Sequence, residues 1–274
     1  MVRAHHNFIQ AVQCSEDEID LGRAALTIAQ EEYPQLDIEA YVAKIDRLAS
    51  AVSGRSGGET DPYRLIACLN YVLFNQEGFR GNRDDYYDPK NSFLNDVIER
   101  KKGIPITLAV LYMEVARRVG LTLHGVGFPG HFLVRYPKDE VIIDPFHKGE
   151  IRSLEELEGF LRELYKGAVT LRPEFLAPIS KKQILKRMLN NLKMIYLKQQ
   201  ELLKALSVVD RLLLLEPDSA QEIRDRGLIN LKLDCFSQAL EDLENYLKLA
   251  RYAEDAEEIR EQVVSLKKRS TQLH

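Results

Sequence analysis

The sequence predicts an α+β core followed by an all-α helical region. Residues 104–119 are apolar almost all round, which is typical of a buried helix. Three short apolar segments separated by Gly and Pro follow, as expected of a small antiparallel sheet. From Lys181 onward the pattern is helical and repeats. We therefore place one domain at residues 1–178 and a helical domain at 179–274.

The composition excludes several classes of function. The chain has 274 residues, 45% hydrophobic and 29% charged, which suits two domains of about 100–200 residues each. A net charge of −4 argues against nucleic-acid binding, and no apolar stretch is long enough to span a membrane. The three cysteines are far apart, which favours a reducing cytoplasm and offers no metal-ligand spacing. Without a Gly-rich phosphate loop, we expect no cofactor.

The first part of the chain is predicted to be mostly helical. His5 and His6 lie in a weakly patterned start, residues 1–16, and are either metal ligands or part of a solvated terminus. The second interpretation is favoured because adjacent side chains point in different directions on a helix. Cys68 is either a core residue or a nucleophile, and nothing nearby would lower its pKa, which favours the core. Helices are expected at 17–32, 37–52 and 63–76.

The loop at residues 77–92 is rich in Gly, Asn, Asp and Tyr, residues that form turns. Long ordered loops are often functional. One interpretation is that the loop lines a binding cleft with four side chains, Asn82, Tyr86, Tyr87 and Asn91. The other is that Asn91 or Ser92 only caps the next helix, predicted at 93–101.

The central helix is predicted to begin at Pro105 or Ile106, because proline is favoured in the first helical turn. Thr107 lies in that turn. Its hydroxyl is either a binding or nucleophilic group of the cleft, or it satisfies backbone groups at the helix start, which is the commoner role.

His131 and Asp144 lie on neighbouring segments of the predicted sheet. Strands are expected at 121–128, 131–136 and 140–144, the last two joined as an antiparallel hairpin. Alone, His131 reads as a core residue and Asp144 as a turn residue before Pro145. Together, behind a buried helix, they predict a pair in which the carboxylate fixes the imidazole tautomer. His147 follows closely and is predicted to lie at the rim of the same cleft.

The helical region repeats with the length of a tetratricopeptide motif. Ala205 and Ala239 are 34 residues apart and occupy the small position where two helices cross. Before the repeats, 153–166 is predicted as a helix with a capping box, and 171–180 as a boundary. After them, 254–269 is predicted to close the array. Such repeats either bind proteins and peptides or only support the first domain.

Gly103 to Gly149, together with 69–92, resembles the core of the papain-like transglutaminase fold. It is most similar to the bacterial SirB-type family, in which a transglutaminase-like domain precedes tetratricopeptide repeats. When the glycine after the family's central helix is aligned with Gly120, His131 and Asp144 fall on the catalytic His and Asp. The catalytic Cys position falls on Pro105. The resemblance therefore implies a remnant dyad without its nucleophile.

The resemblance implies a non-catalytic, transglutaminase-like binding or regulatory protein that holds a protein or peptide partner, in an oligomeric state that the sequence leaves open. The alternative is a slow hydrolase or acyl-transfer enzyme. In that case His131 and Asp144 act as general base and orienter for water or a substrate hydroxyl. A third interpretation is a scaffold that acts only through its repeats.

Overall fold

The computed structural model describes residues 2–272, with side chains described for 5–268. The chain divides into two compact units between Met188 and Leu189. The domain boundary expected from the sequence, between 178 and 179, stays a prediction. The fold class is confirmed: the first unit combines helices with a small antiparallel sheet, and the second is helical throughout its described part.

Seven helices lie entirely within the first unit as the structure describes it, and an eighth begins in it at Lys181. Asp20, Asp37 and Asp61 cap three of them, each side chain accepting a hydrogen bond from a first-turn amide. A π-helical turn, Tyr71–Gln76, continues the fourth helix. The helices are α1 Val2–Val12, α2 Leu21–Ala29, α3 Ile38–Ser56, α4 Pro62–Asn70, α5 Leu94–Arg100, α6 Pro105–Arg118 and α7 Leu154–Leu164.

Helix α1 was not expected from the sequence. Phe8 and Val12 are four residues apart, which places both on one helical face, and both are buried. His5 is half-buried and His6 is exposed on the same helix. Phe8 and Val12 therefore belong to the core, while His5 and His6, to which the interpretation of a solvated terminus applied, keep contact with solvent.

Helix α6 is the centre of the first unit. Every residue from Pro105 to Ala116 is buried, as its nearly uniform apolar sequence predicts. Its first turn is tied to the preceding loop by Thr107, whose hydroxyl accepts a hydrogen bond from the Ile104 amide and donates to the Asn91 carbonyl. These contacts position the start of the helix.

The prediction that Asn91 or Ser92 caps α5 is wrong. Phe93 holds the capping position, and its side chain makes no capping hydrogen bond. The Asn91 amide is instead used within the loop, where Nδ2 donates to the carbonyls of Asp85 and Tyr86. The Asn91 side chain therefore closes the loop and does not cap the helix.

The sheet has four antiparallel strands in chain order. Val134 pairs with Ile143, so the second and third strands form the predicted hairpin, although each is shorter than expected. The fourth strand was not predicted from the sequence. The strands are β3 His124–Val126, β4 Leu133–Tyr136, β5 Val141–Asp144 and β6 Glu150–Arg152; a separate parallel pair is β1 Arg80–Gly81 with β2 Lys102–Gly103.

The repeat prediction is confirmed in the helical region. Ala205 and Ala239 are fully buried. Gly227 allows the close approach of two helices, because a β-carbon there would lie 2.8 Å from the Leu243 side chain. The helices are α8 Lys181–Lys198, α9 Leu202–Leu215, α10 Ala220–Lys232, α11 Phe236–Leu249 and α12 Ala256–Gln272. Within residues 2–272, no helix has the length and apolar character needed to cross a membrane.

Candidate functional site

The structure brings His131 and Asp144 together. His131 lies in the turn before β4, and Asp144 is the last residue of β5, so the hairpin places them side by side. His131 Nε2 lies 3.0 Å from Asp144 Oδ1. His131 is 9% exposed and Asp144 2%. The pair is therefore a hydrogen-bonded contact in a largely water-excluded place.

Asp144 accepts hydrogen bonds from both sides of its carboxylate. Oδ1 also accepts from the backbone amides of Phe146, at 3.1 Å, and His147, at 3.3 Å. Oδ2 accepts from His147 Nδ1, at 2.7 Å, and from Arg152 Nε, at 3.3 Å. Burial raises the pKa of the Asp144 carboxyl. Hydrogen bonds from the two imidazoles outweigh that effect and hold the pKa well below its usual range.

The ionised state of Asp144 fixes the roles of the two imidazoles. A carboxylate only accepts hydrogen bonds, so His131 must donate from Nε2 and His147 from Nδ1. In their neutral forms, His131 then keeps a lone pair on Nδ1 and His147 on Nε2. The two rings lie with centroids 5.8 Å apart. The arrangement therefore offers two basic nitrogens that are oriented by one buried carboxylate.

One potential metal-ligand group occurs among the described residues. His131, Asp144 and His147 offer ligand atoms that lie within 4.8 Å of one another. However, five protein donors already point at the carboxylate, which has about four lone-pair directions. The Arg152 guanidinium, 3.3 Å from Oδ2, also disfavours a second cation there. Hydrogen bonding accounts for the trio better than ligation does.

Aromatic rings surround the His131 side chain. Its ring centroid lies 5.9 Å from that of Phe146 and 5.6 Å from that of Phe160. The ring centroid of Phe146 in turn lies 6.4 Å from that of Tyr86. A β-carbon at Gly81 would lie 2.5 Å from the Phe146 ring, so glycine is needed there for this packing. The predicted residue Tyr86 is thus joined to His131 through Phe146.

The predicted loop residues divide into exposed and buried members. Tyr86 and Tyr87 are 39% and 62% exposed and contact each other edge to face. Asn82 and Asn91 are buried and joined by a hydrogen bond of 3.0 Å between Nδ2 and Oδ1. Thr107 is fully buried beneath them. The buried members hold the loop in place, and a binding role for any of the five stays a prediction.

Two residues that support the site, Asn70 and Arg152, were not predicted from the sequence. Asn70 Oδ1 accepts from the Tyr112 hydroxyl at 2.8 Å, and its Nδ2 donates to the Gly149 carbonyl at 2.9 Å. This network joins α4, α6 and the turn that follows His147. Arg152 was missed because β6 was not predicted. Asn70 has no local sequence signal, since its two partners lie 42 and 79 residues away along the chain.

Comparisons with known proteins assign the family. A model of the transglutaminase-like superfamily matches residues 39–190, and a tetratricopeptide-repeat model matches 192–264. The chain belongs to the transglutaminase-like superfamily. Within it, a UPF0162 protein of Xylella fastidiosa strain Temecula1 is 38% identical over 268 residues, covering 94% of each chain. The chain is therefore a member of the UPF0162, SirB-type family, and the resemblance seen in the sequence is confirmed.

Other relatives show how widely the core occurs. A UPF0162 protein of Vibrio cholerae is 29% identical over 259 residues, covering 92% of this chain and 95% of that protein. F-box only protein 21 of Homo sapiens is 34% identical over 139 residues, which is 47% of this chain and 21% of that protein. Relatives of this chain therefore occur both in bacteria and in mammals.

The tetratricopeptide-type region of this chain is of a kind that commonly mediates protein–protein interaction.

Proposed function

We propose that the side chains of His131, Phe146, Tyr86 and Tyr87 form a cleft, the His131 cleft, in which this UPF0162 member binds a protein or peptide partner. It does not form a covalent intermediate with that partner. The observation that carries the proposal is Pro105. It is the first residue of α6, at the position that the resemblance assigns to the catalytic cysteine. A pyrrolidine ring has neither a thiol nor an N–H, so no nucleophile is available at that point.

The three cysteines of the chain lie on other elements. Cys68 is part of α4, Cys235 precedes α11, and Cys14 follows α1, where its thiol donates weakly to the Ala11 carbonyl. Each is only partly exposed. Among the described residues, none of the three thiols forms a hydrogen bond with His131. The hydrogen-bonded dyad is therefore better suited to a polar floor for a bound segment.

The surface beside the dyad supports a peptide ligand. Tyr86 and Tyr87 present exposed rings, and Phe146 joins them to His131. Tyrosine is enriched at protein interfaces because a rigid ring buries a large area while its hydroxyl stays hydrogen-bonded. The tetratricopeptide helices add a second surface of a type that binds proteins.

A photo-crosslinking amino acid at position 87 tests the proposal in the native host. We expect one defined protein to crosslink from position 87, and the same product to form when His131 is replaced by Ala. The matched control is position 252, where Tyr252 is 93% exposed on the helical unit. A crosslinking pattern identical at 87 and 252 would contradict a specific cleft.

A second candidate is a slow hydrolase or acyl-transfer enzyme. The observation that favours it is the 3.0 Å contact between His131 Nε2 and an ionised Asp144, which is the base-and-orienter arrangement of acyl-transfer enzymes. General base catalysis alone contributes about 10²–10⁴-fold. Hydrolysis of a p-nitrophenyl ester by the wild-type protein and by His131→Ala distinguishes the two candidates, with His124→Ala as the control. Activity that disappears only in His131→Ala would refute the non-catalytic proposal.

A further inference from the structure

An arginine beside the His131 turn has no carboxylate partner among the described residues. Arg187, on α8, donates from Nη2 to the Phe128 carbonyl at 2.9 Å and to the His131 carbonyl. Burial lowers the pKa of Arg187, and the nearby phenols of Tyr86 and Tyr165, in their ionised form, oppose that effect. A guanidinium nevertheless stays charged. A positive charge is therefore partly buried without an opposite charge to balance it.

Other half-buried arginines of the first unit have such partners. Arg118 lies 2.6 Å from Glu114, and Arg152 lies 3.0 Å from Glu150 and 3.3 Å from Asp144. Partly buried charges are normally paired because desolvation without a partner is costly. The charge of Arg187 therefore lacks a carboxylate partner among the described residues, which an anionic ligand would supply.

The free donors of Arg187 are on Nη1 and Nε. Nη2 uses its two N–H groups on the carbonyls, and neither of the other nitrogens makes a hydrogen bond to a described residue. Gly127 lets Nη1 come close to the backbone, since a β-carbon there would lie only 3.2 Å from that atom. The Tyr165 hydroxyl is close to the same turn, 3.8 Å from the position of a β-carbon on Gly130. Unused N–H donors and a tyrosine hydroxyl thus occur together next to His131.

We propose that Arg187 Nη1 binds a carboxylate of a peptide held in the His131 cleft. This inference rests on the proposed function and adds the chemistry by which the partner is recognised. The carboxylate is either the chain end of a peptide or an Asp or Glu side chain. A doubly charged phosphate fits less well, because one guanidinium nitrogen offers few donors and the ionised Asp144 is close to the same turn.

Titration of the full-length protein with small carboxylates tests the inference, followed by the NMR signals of the His131 ring. N-acetyl-phenylalanine supplies a chain-end carboxylate, N-acetyl-glutamic acid α-amide a side-chain carboxylate, and N-acetyl-phenylalanine amide neither. We expect saturable binding of at least one acid in the millimolar range and at least tenfold weaker binding of the amide, as for loss of a charge-assisted contact. The tighter acid identifies the source of the carboxylate.

Two variants separate ligand binding from folding. Arg187→Lys keeps the charge but loses the planar geometry, and Gly127→Ala keeps Arg187 while placing a β-carbon against Nη1. We expect each to weaken binding of the acid about tenfold while the protein stays folded by circular dichroism. Arg162→Gln, which removes an exposed charge on α7, is the control and should leave binding unchanged.

Three results would overturn the inference: equal binding of acid and amide, tighter binding of inorganic phosphate than of either acid, or no saturable binding of any probe. Position-87 crosslinking is an independent measurement. Crosslinking without acid binding would refute the carboxylate site but not the proposed function. Acid binding through Arg187 without crosslinking would refute the proposed function but not the carboxylate site.

Discussion

Replacement of Asp144 by Asn is expected to destabilise the first unit strongly. The carboxylate is 2% exposed and accepts from His131, His147 and Arg152 as well as from two backbone amides. Asparagine keeps one acceptor oxygen and places an NH₂ group against donors. Removing one partner of a buried charged network costs about 3–5 kcal/mol. Native-state hydrogen exchange of the β4 and β5 amides measures this loss where it occurs.

The pH dependence of the same variant has a defined sign. The folded-state pKa of Asp144 is held below its unfolded value, which is about 3.9. The stabilisation is therefore present above that unfolded value and is lost as pH falls through the folded pKa. In Asp144→Asn this contribution is missing, so the opening free energy of β4 and β5 should fall less steeply below about pH 4.

The control is Asp84→Asn, an exposed carboxylate in the loop before Tyr86. It should change stability by less than about 0.5 kcal/mol, as is usual for surface substitutions. A difference of less than about 1 kcal/mol between wild type and Asp144→Asn, which is the size of one ordinary hydrogen bond, would refute the described network. The network would also be refuted if the opening free energy fell as steeply below about pH 4 in Asp144→Asn as in the wild type.

Two further predictions concern the surroundings of the dyad. Gly149→Ala should cost about 1–3 kcal/mol more than Gly120→Ala in urea denaturation. Both glycines have positive φ, +76° and +82°, but only at Gly149 does a β-carbon collide, 1.9 Å from Asn70 Oδ1; equal losses would contradict this. In ¹⁵N NMR at neutral pH, His131 should be the Nε2–H tautomer and His147 the Nδ1–H tautomer. A shared tautomer would contradict the network.

The dyad could be anticipated from the sequence because its geometry is local. His131 and Asp144 flank a single hairpin, and the period of two in the strands together with the turn between them fixes their register. The apolar run of α6 predicted the buried helix behind them. Fold class and repeats followed for the same reason, since periodicity is a local property of the chain.

The rest of the site depends on contacts between distant segments. Arg187 meets the His131 turn, and Asn70 meets Gly149, across separations of 56 and 79 residues. No local pattern encodes such contacts. Asn91 shows the converse case, because a residue suited to capping was used for loop closure instead. Tertiary structure decides between alternatives that local propensity leaves open.

The central claim is that this chain retains the oriented His–Asp half of a transglutaminase-like site and lacks only the nucleophile at position 105. The most direct test is the pH dependence of alkylation by iodoacetamide in Pro105→Cys, quantified at that residue by mass spectrometry. On this claim, a thiol introduced at the start of α6 faces His131 and should have a lowered pKa. It should therefore react at pH 6 at least about tenfold faster than the same thiol in a His131→Ala background. Equal rates in the two backgrounds would contradict the claim, because the introduced thiol would then not be activated by His131.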